Sequence, residues 1–237
     1  PDWSVDGKTL TFAYSASNKD RGIAGSSIVA RYNPAWIKDG VDPDAVDGSV
    51  DMPYGVPAVR VEWVRQEPPG IATTWWRGVG VTRSTFVVES FVDELAHAVG
   101  QDPLAYRMAL LEKQPRAKEV LRRAAAECGW GTQLPPGQGR GIALCIGFGS
   151  FIAQVVQVSV GKDGSVTPAR VWCVVDCGVQ VNPDTIRAQM ESGIIFGLSA
   201  ALHGEITIKD GRVEQTNFGD YRVLRINEVP RSEERRV

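Results

Sequence analysis

The chain has 237 residues, 43% hydrophobic and 23% charged, enough apolar content to bury a substantial core, so disorder is not expected. A formal net charge of −2 and a pI near 5.8 exclude the clustered excess of Lys and Arg that a nucleic-acid-binding surface needs; the one basic cluster, Arg231 to Arg236, is interrupted by Glu233 and Glu234. No apolar run approaches the roughly 20 residues of a membrane-spanning helix, the longest candidates being broken by glycine or charge.

The first residues, Pro1-Asp2-Trp3, carry neither an initiator methionine nor a basic-then-apolar leader. They read as the start of a piece of something longer, and they leave the compartment, bacterial cytoplasm or periplasm, undetermined. Residues 1–50 mix a strand-like fragment, Leu10 to Tyr14, with loop composition around Asn33-Pro34, Asp42-Pro43-Asp44 and Asp47-Gly48. Pro57 to Arg65 alternates Val59, Val61 and Trp63 against Arg60, Glu62 and Val64, the pattern of a strand half-buried on one face.

Pro68-Pro69-Gly70 then leads into Trp75-Trp76-Arg77-Gly78-Val79-Gly80-Val81-Thr82-Arg83, and from near Ser84 Val87, Val88, Phe91, Leu95 and Ala98 recur at helical spacing. Glycines let the backbone approach a ligand, the first N–H groups of a helix point outward unpaired, and Arg77 adds a forked donor for a phosphate or a polar ring edge. Gly-x-Gly before a helix also describes a plain turn, so spacing alone leaves both readings open. As a nucleotide cradle the segment lacks the third glycine, and the acidic residue about 20 positions on, of a dinucleotide fingerprint.

The helix stops at Gly100, and Asp102-Pro103 caps another that runs to about Leu111. Val120, Leu121, Ala124, Ala125 and Cys128 form the apolar stripe of a third helix, ended by Gly129, and Pro135 to Gly139 is linker-like. His97 has no partner acid or nucleophile nearby in sequence and reads as a solvated or capping residue. From Gly141 the period changes to strands: 141–146, 151–160 and, after the turn Gly161 to Gly164, 166–175. Asn182-Pro183-Asp184 caps a long helix, Thr185 to Leu202, with Ile186, Met190, Gly193, Ile194, Gly197, Leu198 and Ala201 on one face. Its small residues allow close approach either by a sheet or by another backbone or flat ligand. Cys128, Cys145, Cys173 and Cys177 lack metal-knuckle spacing and read as buried free thiols.

Trp76-Arg-Gly-Val-Gly80, Glu89-Ser-Phe-Val-Asp-Glu-Leu-Ala96, Asp102-Pro-Leu-Ala-Tyr-Arg107, Val175-Asp-Cys-Gly178, Asn182-Pro183 and Gln189-Met-Glu-Ser-Gly193, in this order and spacing, together resemble the xanthine dehydrogenase family. The likeness is greatest to the large subunits of isoquinoline 1-oxidoreductase and related aldehyde-oxidising molybdenum hydroxylases. The resemblance implies a molybdenum–molybdopterin cytosine dinucleotide cofactor, 2Fe-2S clusters on a partner iron–sulfur small subunit, and a small aldehyde or N-heterocyclic substrate hydroxylated with oxygen from water. It implies Arg77, Gly78, Val79 and Gly80 as one cofactor-facing segment, Val79 lying toward the substrate funnel, and Gln189 as a second contact to the pterin. In this family the dithiolene of the cofactor, rather than protein side chains, ligates the metal. Asp176, Gly178 and Asn182 match the turn that positions the long helix.

Two departures from the family pattern matter. Val81-Thr82-Arg83 stands where many relatives have a small residue followed by Pro-Gln. After Arg225-Ile-Asn-Glu-Val-Pro230 the family continues to a Gly-Val-Gly-Glu segment carrying the general base, whereas this chain reads Arg231-Ser-Glu-Glu-Arg-Arg-Val237. The expectation is therefore an α+β chain of mixed sheets and packed helices. Residues 1–135 would carry the Arg-Gly-x-Gly loop and helices, and residues 136–237 a strand-rich and helical part of the cofactor-binding lobe, truncated at its C-terminus. No catalytic residue of its own, an open strand edge after Pro230, and Arg77 and Gln189 facing one pocket complete the reading. The alternative is a catalytically inactive scaffold or interaction domain of the same fold.

Overall fold

The computed structural model describes residues 10–13, 35, 41–62 and 76–236. The architecture is α+β, and contacts divide the chain into two units: residues 1–119 with 144–151, and residues 120–143 with 152–237.

In the first unit β1 (Leu10–Ala13) pairs in parallel with β2 (Val59–Glu62), Leu10 opposite Val59. The half-buried strand expected at 57–65 is shallower than its alternation implies: Val61 is partly buried, Val59 is exposed, and Trp63 to Arg65 lie outside the described residues. A single turn, α1 (Pro43–Val46), is capped by Asp42, whose Oδ1 accepts from the Asp44 amide at 3.0 Å. The main element is α2 (Val79–Ala98), which buries Val81, Val88, Phe91, Val92 and Ala96. It begins five residues before the expected start near Ser84, so Val79 and Gly80 belong to its first turn. His97 is exposed in the last turn.

Next comes α3 (Pro103–Leu110), capped by Asp102 Oδ1, which accepts from the Ala105 amide at 2.9 Å, as Asp-Pro predicts. The fourth helix, α4 (Pro115–Cys128), starts in the first unit and continues into the second; its predicted stripe Val120, Leu121, Ala124, Ala125 and Cys128 is buried.

A four-stranded sheet has the order β3-β4-β5-β8, built from β3 (Gln138–Gly147), β4 (Ser150–Val160), β5 (Val166–Asp176) and β8 (Arg231–Arg236). The two residues between β3 and β4 suffice only for an antiparallel hairpin. Phe148 (φ 51°) and Gly149 (φ 78°) both have positive φ, the requirement of a type I′ turn. The tip of this hairpin, residues 144–151, belongs to the first unit.

In the second unit Val171 to Val175 of β5 are buried on both faces. Val171 and Cys173 form a core with Ile194 of α5 (Pro183–His203), joined by Ile152, Val156, Met190 and Leu198. The open edge expected after Pro230 is not there: Arg231–Arg236 pair in parallel with Arg170–Val175 as β8, because ladder hydrogen bonds use the backbone and tolerate a charged sequence. Arg170 forms an ion pair with Glu233. The short hairpin β6 (Ile208–Lys209) and β7 (Arg212–Val213) follows α5 in the chain.

Candidate functional site

In the first unit Trp76 and Arg77 are exposed in a turn immediately before α2. The turn is closed by the Val79 amide donating to Trp76 O at 2.9 Å and by Thr82 Oγ1 donating to Arg77 O at 2.9 Å. Gly78 is the N-cap at φ 87°, and it offers no side chain to cap the helix. A Cβ there would lie 1.9 Å from Thr82 Oγ1, so glycine is required twice over. Val79 sits at φ 50°, a left-handed conformation that is costly for a β-branched residue.

Gly80 has a different role from the one its spacing suggests. It is buried, and a Cβ on it would lie 2.1 Å from Asp44 O, so its small size serves the contact with α1, while Arg77 is exposed and Gly78 and Val79 are partly so. Exposed Arg77 beside a helix N-terminus with no side-chain cap fits an anionic or hydrogen-bond-rich group, since the positive end of the helix dipole lies there.

Further along α2 lies a buried polar network. Arg107, fully buried, donates from Nε to Glu89 Oε2 and from Nη2 to Glu89 O, both at 2.9 Å, and from Nη1 to Pro103 O at 3.2 Å. Nη1 also pairs with Asp93. Tyr54 Oη donates to Glu89 Oε1 at 2.7 Å, and the Leu144 amide donates to Glu89 Oε2 at 2.9 Å. Burial raises the Glu89 carboxyl above the usual range, against the lowering pull of Arg107, Tyr54 and Leu144. Burial likewise raises the Tyr54 hydroxyl, reinforced by the neighbouring Glu89 charge. A cleft lined by Gly48, Asp51, Met52, Thr85, Glu89 and Ile146, among others, has room for about one water and includes no residue of the 76–80 turn. In the sequence Glu89 and Arg107 stand only as parts of longer motifs; their 18-residue separation gives no local signal that they pair.

In the second unit Asp176 Oδ1 accepts from the Gly178 amide at 3.1 Å, and Gly178 has φ 76°. Asn182 Oδ1 caps α5, accepting from Asp184 and Thr185 amides at 3.1 Å. Gln189 is exposed on α5. The apolar face expected for this helix splits by size: Ile194 is buried and Ile186, Met190 and Leu198 partly so, while Gly193, Gly197 and Ala201 are exposed. A Cβ on Gly193 or Gly197 would meet nothing within 4 Å, so packing on the sheet does not account for these glycines. Among the described residues no group of three or more His, Cys, Asp or Glu could hold a metal ion, and all four cysteines are free, Cys128 and Cys173 buried and Cys145 and Cys177 partly so.

Two family models, each described as a molybdopterin cofactor-binding domain, match residues 34–111 and 146–230. The chain is 33% identical over 215 residues to the beta subunit of isoquinoline 1-oxidoreductase from Brevundimonas diminuta, covering 88% of this chain and 27% of that protein. Over 196 residues it is 31% identical to a nicotinate dehydrogenase subunit of Pseudomonas putida, covering 75% of this chain and 16% of the relative. It is also 31% identical over 226 residues to a membrane-bound aldehyde dehydrogenase [pyrroloquinoline-quinone] of Gluconacetobacter polyoxogenes, covering 83% and 29%. The two matched regions make this a molybdopterin cofactor-binding chain. The chain belongs to the xanthine dehydrogenase family of molybdenum-binding subunits. It spans less than a third of the length of these relatives.

Proposed function

We propose that this chain forms part of the molybdopterin cytosine dinucleotide pocket of a molybdenum hydroxylase acting on aldehydes or N-heterocycles with water as oxygen source. The observation that carries the reading is the exposed Arg77 at the uncapped N-terminus of α2, inside a region matched by a molybdopterin cofactor-binding model. Arg77 would donate to the polar edge of the cofactor, Gly78 and Val79 would bring the start of α2 close to it, and Gly80 would hold that turn down on α1. Gln189, exposed on α5 beside the open surface at Gly193, would supply a second polar contact. When bound, the group would supply two-electron oxidation chemistry, with 2Fe-2S clusters on an iron–sulfur small subunit as the proposed electron acceptor. The names of the relatives, an isoquinoline and an aldehyde oxidising protein among them, support this substrate range.

The test is binding of isolated molybdopterin cytosine dinucleotide to the full chain, followed by tryptophan fluorescence. Arg77→Ala and Gln189→Ala are each expected to weaken it about tenfold, the effect of one hydrogen bond to a charged group. Affinity unchanged in both variants would refute the assignment.

A further inference from the structure

Among the described residues β3 is the outer strand of its sheet, and no described strand pairs with the amides on its outer edge. The Leu144 amide is taken instead by a side chain, Glu89 Oε2. Glu89 comes from the middle of α2, about three turns beyond the Arg77 segment. Beyond Leu144, Cys145 Sγ accepts from Thr85 Oγ1 at 3.5 Å, and a Cβ on Gly147 would lie 3.3 Å from Val81 Cγ1. The hairpin tip thus rests on the first turns of the helix that presents Arg77, and it ends in Phe148, 83% exposed at positive φ.

We propose that Glu89 is a positioning residue: by accepting the Leu144 amide it fixes the 144–149 tip against the first turns of α2, and with it the wall beside Val81, two residues past Val79. The relevance of that wall to a cofactor rests on the reading above; the anchor itself does not. Three donors, Tyr54 Oη, Arg107 Nε and the Leu144 amide, converge on one carboxylate, which can accept all of them. A glutamine of the same shape has one acceptor oxygen and no charge, so the Leu144 amide would face either an NH2 group or a neutral and weaker acceptor. Without the anchor, the thiol contact and the approach of Gly147 to Val81 remain to tie the tip to α2.

The experiment compares Glu89→Gln with Tyr54→Phe in the full chain without cofactor, reading thiol labelling of Cys145 by peptide-resolved mass spectrometry. Cys128 in the second unit is the internal reference. Glu89→Gln is expected to speed Cys145 labelling at least about tenfold with Cys128 unchanged, the opening expected from losing one charge-assisted hydrogen bond. Tyr54→Phe, which leaves the Leu144 bond in place, should change it less than about threefold. Labelling of Cys145 and Cys128 rising together in both variants, in proportion to lost global stability, would overturn the proposal. Should Glu89→Gln not fold, amide exchange in the wild-type chain decides. The Leu144 amide is expected to be about a hundredfold better protected than that of Phe148, and equal protection would overturn the anchor. These readouts involve no cofactor, so a failed anchor and a failed cofactor assignment are separately visible.

Discussion

Replacing Arg107 with methionine removes a fully buried cation while retaining most of its apolar volume. The loss is local and specific: two 2.9 Å bonds to Glu89, the 3.2 Å bond to Pro103 O and the pair with Asp93. Glu89 would remain buried with Tyr54 and Leu144 as donors but no countercharge, and stranding one member of a buried pair costs about 3–5 kcal/mol. Against a total stability of about 5–15 kcal/mol for a domain, this brings the first unit close to its unfolding threshold. The penalty has a pH sign. Burial already raises the Glu89 carboxyl and Arg107 is the leading cause that lowers it, so the substitution raises it further. A group whose folded pKa lies above its unfolded value stabilises below the unfolded pKa, and that contribution is lost as pH rises through the folded one. Urea unfolding at pH 5 and pH 8 should therefore show the larger loss at pH 8, with Glu89→Gln/Arg107→Met recovering part of it. A loss below about 1 kcal/mol at pH 8, or one independent of pH, would refute the reasoning.

Gly80→Ala should destabilise by about 1–3 kcal/mol in urea titration, because the added methyl meets the Asp44 carbonyl at 2.1 Å. Gly193→Ala should do the opposite, gaining up to about 1 kcal/mol as an exposed helical glycine with open space around it. Cys173, whose thiol burial pushes up to about 12, should resist thiol reagents at pH 8 in the native chain and react on unfolding.

The helices were legible because their signals are local. Asp102-Pro103 and Asn182-Pro183 place caps at fixed offsets, and the stripe from Val120 to Cys128 repeats within a single helix. The family resemblance was legible for another reason, the order of several short motifs. What escaped depends on partners distant in sequence. Gly80 reads as a loop glycine until Asp44 is found 36 residues away, and Glu89 reads as one more helical charge until Tyr54, Arg107 and Leu144 converge on it. The charged run Arg231–Arg236 gives no strand pattern by alternation, yet it pairs with a β5 buried on both faces.

The most direct measurement is an amide-exchange footprint of the full chain with excess molybdopterin cytosine dinucleotide. The account predicts added protection in two separate segments, 77–82 on the first turn of α2 and 187–193 on α5, each reduced by its own substitution, Arg77→Ala or Gln189→Ala. Protection confined to other segments, or none at saturating cofactor, would contradict it.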